Sequence, residues 1–337
     1  MVEGCFCAAR GLISLLGILG NLVNIKAYVS MGLSDGVTTA FLLLACSDLA
    51  YLTAMLARAV SFGFMAAEKL HNYSLWFPVD PYGVYIFFGN VGSIPYTVSI
   101  LTTTLLAVVR CLSVARPLQF QNSFRRTRAT AVVFVFAMFS LFSYLPVLVF
   151  MGMIRQFDAR VNATRPMLWI SPMRERVKDI VWVIRDAILP IATQLIVITC
   201  VIVMADCLRS ASVFRMSQMS VKSVSEKLRF GDLNVDLGQN EAPRSAANPN
   251  KLIGKELQAV QQVLLISIIF IVCNMPKIVI NFTGLFEQEF ALGRLHENLY
   301  LTMIGVLYIF QTVYSSVNIF IYYHYSSKYR RHCKVCA

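Results

Sequence analysis

Seven long apolar runs constrain this chain of 337 residues more than any other feature of its sequence. An apolar stretch of about 20 residues or more is long enough to cross a hydrocarbon core of roughly 30 Å. Lipid offers no partners to free backbone groups, so each run must form a helix. The runs lie at residues 11–30, 38–64, 82–113, 127–153, 179–208, 255–285 and 297–323. The predicted fold class is therefore all-α, a seven-transmembrane helix bundle.

The composition also indicates a membrane protein. Hydrophobic residues make up 57% of the chain and charged residues 14%, whereas a soluble domain carries about 25% charged residues. The mean hydropathy is +0.63. A soluble bundle of buried helices is the alternative, and the length of the runs disfavours it.

The distribution of Lys and Arg predicts the orientation. Sixteen of them fall in the loops and tail on one side of the seven runs, and nine fall on the other. The positive-inside rule places the richer side in the cytoplasm and the amino terminus outside. The net charge of +12 therefore predicts contact with anionic membrane lipids, and not with nucleic acid. Two sequons, at Asn72 and Asn162, fall on the predicted outer side as glycosylation sites, and a third at Asn281 lies close to the membrane.

Three further regions complete the predicted organisation. Residues 1–10 form a short extracellular segment before the seven-span domain at 11–323. Residues 209–254 mix Ser, Asn, Gly, Pro and both charges without an apolar period, so we expect a flexible third cytoplasmic loop. Residues 324–337 pair aromatic and basic positions, which predicts a short amphipathic eighth helix on the inner leaflet, followed by the tail. Cys333 and Cys336 are there either palmitoylated or free thiols.

The polar residues inside the runs resemble those of one family. Asp48 stands alone in FLLLACSDLAYLTAML, and a carboxylate at mid-membrane is usually there for function. Its position among the other polar residues resembles the class A, rhodopsin-like G-protein-coupled receptors over all seven spans. The resemblance implies a receptor that binds an extracellular ligand among its helices and activates a heterotrimeric G protein at the plasma membrane. The matching residues are Gly20, Asn21, Leu44, Ala45, Asp48, Arg110, Val114, Pro117, Leu118, Pro146, Pro190, Pro276, Asn318 and Tyr322.

Several positions depart from the family's pattern. Val109 replaces the acid that usually precedes Arg110, Cys111 replaces a tyrosine, Asn274 replaces the sixth-helix tryptophan, and Ile319 replaces the seventh-helix proline. Tyr85 stands where the family has the cysteine that ties the third helix to the second outer loop. No such disulfide is therefore expected.

Two departures narrow the ligand class. Gly92 stands where amine receptors carry an aspartate, and Thr312 stands where opsins carry the lysine that binds retinal. Neither a monoamine nor retinal is therefore expected. The chain is most similar to molluscan-type chemosensory receptors and to the neuropeptide receptors related to them. A receptor for small water-borne molecules is the first expectation, and an FMRFamide-like neuropeptide receptor is the alternative.

The resemblance implies a polar cavity around Asp48. It places Ser99, Ser315 and Asn318 beside this carboxylate, with Asn21 near them. Oxygen ligands suit a hard cation, so these residues form a candidate site for an allosteric sodium ion, and no other cofactor is expected. The alternative is a protonated Asp48 that neighbouring hydroxyls satisfy.

The resemblance also assigns the residues of activation and G-protein coupling. Arg110 ends the third span next to Val109, and Glu256 lies at the start of the sixth span, where many receptors place the acid that pairs with this arginine. Pro276, Asn318 and Tyr322 lie in the sixth- and seventh-helix motifs. An acid–arginine contact here would favour the resting state.

Four charged residues in the outer halves of the spans point to the ligand. Three cations and one acid near a ligand site favour a ligand with a carboxylate or another anionic group. Alternatively, the long cationic side chains extend toward water and the acid only neutralises one of them. The charged residues are Arg58, Arg185, Asp186 and Lys277, and by resemblance Gly92, Tyr96 and Asn274 complete the candidate ligand site.

Other classes of membrane protein are less well supported. A transporter or channel usually shows internal repeats or broken half-helices, and the two halves of this chain show no repeat. An enzyme would need a nucleophile–base set or a metal cluster, and the four histidines lie at or beyond the ends of the runs without metal-ligand spacing. The protein is therefore expected to be a receptor and not an enzyme.

Overall fold

The computed structural model describes residues 2–33, 35–115, 124–207, 209, 254–287 and 289–336. The predicted flexible loop at 209–254 lies outside these ranges, apart from its two end residues. The same is true of Pro117 and Leu118, and of the side chains of Glu256 and Cys336.

Seven described helices are long and apolar enough to cross a membrane, which confirms the predicted fold class. Their order along the chain defines the first to the seventh span. They are Glu3–Ser30, Gly36–Leu70, Pro81–Ala115, Arg126–Val149, Val183–Cys207, Val260–Phe286 and Glu297–Tyr325.

Several helices differ in extent from the predicted spans. The first begins at Val2, so residues 2–10 of the predicted short extracellular segment are helical. The second continues to Leu70, six residues beyond the prediction. The third span consists of two helices, Pro81–Val91 and Ser93–Ala115, which meet at Gly92. The sixth span belongs to a helix Gly254–Phe286. Hydropathy placed the start of the first span at residue 11 because Arg10 is charged, but Arg10 is buried in the bundle.

A short helix follows the seventh span, as predicted. The seventh helix ends at Tyr325, and the C-terminal helix Ser327–Cys336 begins two residues later. The hydroxyl of Tyr329 donates to Oδ1 of Asn24 on the first span at 2.6 Å. This hydrogen bond holds the C-terminal helix against the bundle.

The fifth span opens with a π-helical segment, Trp182–Ile188, after the helix Met173–Val181. Pro190 has no N–H, so the carbonyl of Asp186 four residues earlier loses its helical donor. The side-chain amide of Asn281 on the sixth span donates to that carbonyl instead. Asn281 is therefore buried in the bundle, although it belongs to a sequon.

A β-hairpin joins the fourth and fifth spans, and the sequence analysis did not predict it. Its strands are β1, Met151–Asp158, and β2, Ala163–Ile170, which pair antiparallel from Met151 opposite Ile170 to Asp158 opposite Ala163. The fourth helix ends at Val149, whereas the predicted span continued to residue 153. That span ran four residues too far because β1 begins with apolar residues. We call the end of the bundle that carries these strands the hairpin end.

One buried arginine fastens the hairpin to the helices. The guanidinium of Arg165 in β2 donates to Glu68 at 2.5 Å and to Asp158 at 2.7 Å, and it lies 3.6 Å from Asp80. Glu68 belongs to the last turn of the second span, and Asp80 is the N-cap of the third, where it accepts from the N–H of Gly83. A single side chain thus joins the hairpin to two spans.

The hairpin cluster comprises Glu68, Asp80, Asp158, Arg160 and Arg165. Arg160 donates to Asp158 through Nε at 2.9 Å. Hydrogen bonds from Arg160 and then Arg165 lower the pKa of Asp158 to about 2. An unfolded aspartate titrates near about pH 3.9. The stabilisation from this carboxylate is therefore complete above that pH and is lost as the pH falls through about 2.

The resemblance to class A receptors places a disulfide-forming cysteine at Tyr85, which here is a buried tyrosine, and residues 151–170 contain no cysteine. The expected absence of this disulfide follows from the sequence, but the ionic connection between hairpin and helices becomes visible only in the structure.

We expect Arg165→Met to destabilise the protein by about 3–5 kcal/mol, because it leaves three carboxylates buried without their shared cation. The matched control is Arg155→Met, which removes an exposed arginine from the same hairpin. The melting temperatures of the purified proteins test this. If both variants melt with the parent, the cluster does not hold the hairpin.

Candidate functional site

Asp48 lies at the centre of the second span and is fully buried. The hydroxyl of Ser99 donates to Oδ1 at 2.6 Å, and the amide of Asn318 donates to Oδ2 at 2.8 Å. The hydroxyl of Ser315 is buried close to this carboxylate but makes no hydrogen bond within the described part of the chain. The structure thus brings together all four residues of the candidate sodium site, from the second, third and seventh spans.

A chain of amides extends this site toward the first span. Asn21 donates to the backbone carbonyl of Ser315 at 2.9 Å, and Asn24 donates to the side chain of Asn21 at 3.3 Å. Asn24 is the residue that also accepts from Tyr329. The polar interior is therefore continuous from Asp48 to the C-terminal helix.

The donor set around Asp48 fits a hard cation. One carboxylate and the hydroxyl oxygens of Ser99 and Ser315 are hard oxygen ligands, and Asn318 contributes an amide. Among the described residues, Asp48 has no ion-pair partner. A carboxylate buried in this way needs either a cation or a proton.

Three of the predicted activation residues, Arg110, Val109 and Glu256, lie toward the end of the bundle opposite the hairpin. Arg110 is half-buried in the last turns of the third span, and Val109 beside it is buried in the core. Glu256 lies in the first turn of the helix Gly254–Phe286, and Pro276 lies inside that helix.

Tyr322 is fully buried in an aromatic cage. Its ring centroid lies 5.4 Å from that of Tyr28, 5.2 Å from Phe41 and 5.8 Å from Tyr329. The cage joins the first, second and seventh spans to the C-terminal helix. The sequence analysis missed Tyr28 and Phe41, because an aromatic residue inside an apolar run leaves no separate signal.

Two of the predicted ligand-site cations already have partners. The Nζ of Lys277 lies 2.8 Å from Oδ1 of Asp186, so this acid neutralises this lysine. Arg185 donates to the hydroxyl of Thr97 at 3.1 and 2.8 Å and to the backbone carbonyl of Ser93. Its guanidinium carbon also lies 4.2 Å from the ring centroid of Tyr144.

The third cation, Arg58, lies between two aromatic rings. Its guanidinium carbon is 4.3 Å from the ring centroid of Tyr85 and 4.2 Å from that of Tyr308. Its Nη2 donates to the hydroxyl of Tyr85 at 2.8 Å. The sequence analysis missed Tyr308. It lies one helical turn before Thr312, and only that spacing could have indicated it.

The three remaining predicted ligand residues occupy different surroundings. Gly92 packs against the second span, where an added Cβ would come within 2.8 Å of Met55. Tyr96 is buried, with its ring 5.0 Å from that of Tyr51. Asn274 is also buried, and neither polar atom of its side chain has a hydrogen-bond partner in the described part of the chain.

The modification sites predicted from the sequence differ in exposure. Asn72 and Asn162 are exposed turn residues with φ of 49° and 50°. Both lie at the hairpin end of the bundle. Cys333 is partly buried in the C-terminal helix.

A comparison with protein families agrees with this architecture. Residues 20–331 match the family described as 7 transmembrane receptor (rhodopsin family). The match includes all seven spans apart from the start of the first, so the chain belongs to the rhodopsin family of seven-transmembrane receptors. It is a multi-pass membrane protein of a family of G-protein-coupled receptors, which are receptors and not enzymes. No curated protein sequence matched the chain.

Proposed function

We propose that this protein is a chemosensory receptor for small water-borne molecules, located in the plasma membrane with its hairpin end and amino terminus outside. The observation that supports this most is that polar atoms of Arg58 and Asn274, in the half of the bundle nearer the hairpin, are buried without a hydrogen-bond partner among the described residues. Buried polar groups without partners are unfavourable unless another molecule satisfies them. A ligand small enough to lie among the helices would do so.

A neuropeptide receptor of the FMRFamide-like type is the second candidate. The large arginine-rich connection between the fourth and fifth spans favours it, because a peptide that extends out of the bundle would contact this connection. In either case the ligand binds at one end of the bundle and the G protein binds at the opposite end.

A calcium-release assay in cells that express the chain with a promiscuous G protein tests the ligand class. We expect food extracts to trigger calcium release in these cells. Activity should survive peptidase digestion of the extract if the ligand is a small molecule. Activity that digestion destroys would support the neuropeptide candidate. Ion flux without any G protein would contradict both.

We propose that Arg110 pairs with Glu256 in the resting state and contacts the G protein in the active one. Glu256→Ala should raise basal signalling roughly threefold, because an ion pair that water partly screens contributes up to about 1 kcal/mol to the resting state. Arg110→Ala should abolish signalling at unchanged surface expression. Glu287→Ala removes an exposed acid at the far end of the same span and serves as the control. Equal basal activity in the two glutamate variants would refute the pairing.

We propose that Asp48, Ser99, Ser315 and Asn318 hold a sodium ion that stabilises the resting state. The melting temperature of the purified receptor should rise saturably when sodium chloride replaces choline chloride, and Asp48→Asn should remove that rise. Sodium should also lower agonist potency roughly fivefold or more in the parent only, which is the usual range of allosteric coupling. If Asp48→Asn shows the same rise in melting temperature with sodium as the parent, the sodium site is refuted, and Asp48 is then a protonated carboxyl.

A further inference from the structure

Arg58 is a buried charge without a counter-charge. Its side chain belongs to a residue only 8% exposed. No carboxylate of the described residues lies within ion-pair distance of it. Its Nε and Nη1 are buried and have no hydrogen-bond partner in the same part of the chain. An arginine cannot relieve this by losing its proton.

Aromatic rings cover both faces of the Arg58 guanidinium, and one of its edges stays free. The rings of Tyr85 and Tyr308 lie over the guanidinium, and Nη2 is occupied by the hydroxyl of Tyr85. Gly89 faces the guanidinium, and an added Cβ there would lie in ordinary contact, 3.4 Å from the guanidinium carbon. Both paired edges of a guanidinium include Nη2, one with Nε and the other with Nη1, and Tyr85 takes only one of the two N–H groups of Nη2. One edge, Nη2 with either Nε or Nη1, therefore stays free, and its parallel N–H donors match a carboxylate.

A second buried guanidinium strengthens the positive potential there. Arg10 is 4% exposed and lies 5.4 Å from the centroid of the same Tyr308 ring. It donates to the sulfur of Cys7 and to the carbonyl of Phe6, which are both neutral partners. The acid that interacts with this group is Glu3, an exposed residue that accepts from Tyr85 at 3.3 Å. The buried cations Arg58 and Arg10 therefore have one acid near them among the described residues, Glu3, and it is exposed to solvent.

The other two predicted ligand-site cations have more of their donors satisfied. Lys277 is paired with Asp186. Arg185 also lacks an ion pair in the described part of the chain and has one unpartnered nitrogen, Nη1, but its other donors make three hydrogen bonds to the third span. Arg58 differs from it in having two unpartnered nitrogens and a second buried guanidinium, that of Arg10, beside it.

We propose that Arg58, with Arg10 beside it, binds an anionic group at its free edge. The group is either a carboxylate carried by an organic ligand or a small inorganic anion. The first case rests on the proposed function and deepens it, because it makes the ligand of this receptor an acid. The second case is a resident anion that balances the charge whether or not a ligand is present.

Anion-dependent thermal unfolding of the purified full chain tests the proposal. The probes are choline chloride, choline acetate and choline succinate, since choline excludes any effect of sodium at Asp48. We expect at least one probe to raise the melting temperature of the parent saturably by roughly 2–4 °C. Arg58→Gln should lack this rise, and Arg155→Gln, which removes an exposed arginine, should retain it.

The pattern across the probes identifies the source of the anion. A rise already complete with chloride indicates a resident inorganic anion, and a rise with acetate or succinate alone indicates a ligand carboxylate. Equal rises in the parent and Arg58→Gln, or no rise in the parent, would overturn the proposal. If Arg58→Gln does not fold, Arg58→Lys replaces it, because lysine keeps the charge but lacks the paired donors, and the half-saturating anion concentration should then rise about tenfold.

The signalling assay separates this proposal from the proposed function. For an acidic ligand, the potency of an active extract should fall about tenfold or more in Arg58→Gln and remain unchanged in Arg155→Gln. Unchanged potency in Arg58→Gln would overturn the acidic ligand and leave the receptor function intact. Anion binding that depends on Arg58 in a chain that no extract activates would support the anion site and count against the chemosensory function.

Discussion

Lipid satisfies no hydrogen bonds, and this constraint determines how the seven spans fit together. A small hydroxyl inside a span can donate to a carbonyl of its own helix, but a charged side chain needs partners on other spans. Asp48 finds Ser99 and Asn318, and Arg185 finds Thr97. These contacts hold the second, third, fifth and seventh spans in register at two different depths of the bundle. Arg58 finds aromatic rings but no acid among the described residues, which is why it stands out as a site for another molecule.

The two ends of the bundle are held together by different means. At the hairpin end, Arg165 is buried among three carboxylates and fastens β2 to the second and third spans. At the opposite end, Tyr322 packs into an aromatic cage that includes the C-terminal helix. A reductant breaks a disulfide, and acid does not. The ion cluster is weakened by acid, which protonates its carboxylates, and is unaffected by a reductant. The connection between hairpin and helices is therefore electrostatic in this receptor.

The departures from the family's pattern change the expected mechanism at defined places. Val109 is buried in the core and offers no carboxylate to Arg110, so any acidic partner must come from another helix, such as the one that carries Glu256. Asn274 places a small, buried polar amide where the family has a large ring. The contacts that this ring makes in the family are therefore replaced here by others.

The sequence by itself determined the fold class, the seven spans, the C-terminal helix and the polar residues around Asp48. It did so because a membrane-length apolar run has only one stable conformation in lipid, and a lone polar residue in such a run is conspicuous. The β-hairpin, the helical conformation of residues 2–10 and the partners of the charged side chains were decided only by the tertiary structure. Arg165 and Arg155 occupy the same hairpin, and nothing local separates the buried one from the exposed one. Likewise, Asp186 pairs with Lys277, while no acid in the described part of the chain lies within ion-pair distance of Arg58, because these contacts depend on how separate helices pack in three dimensions.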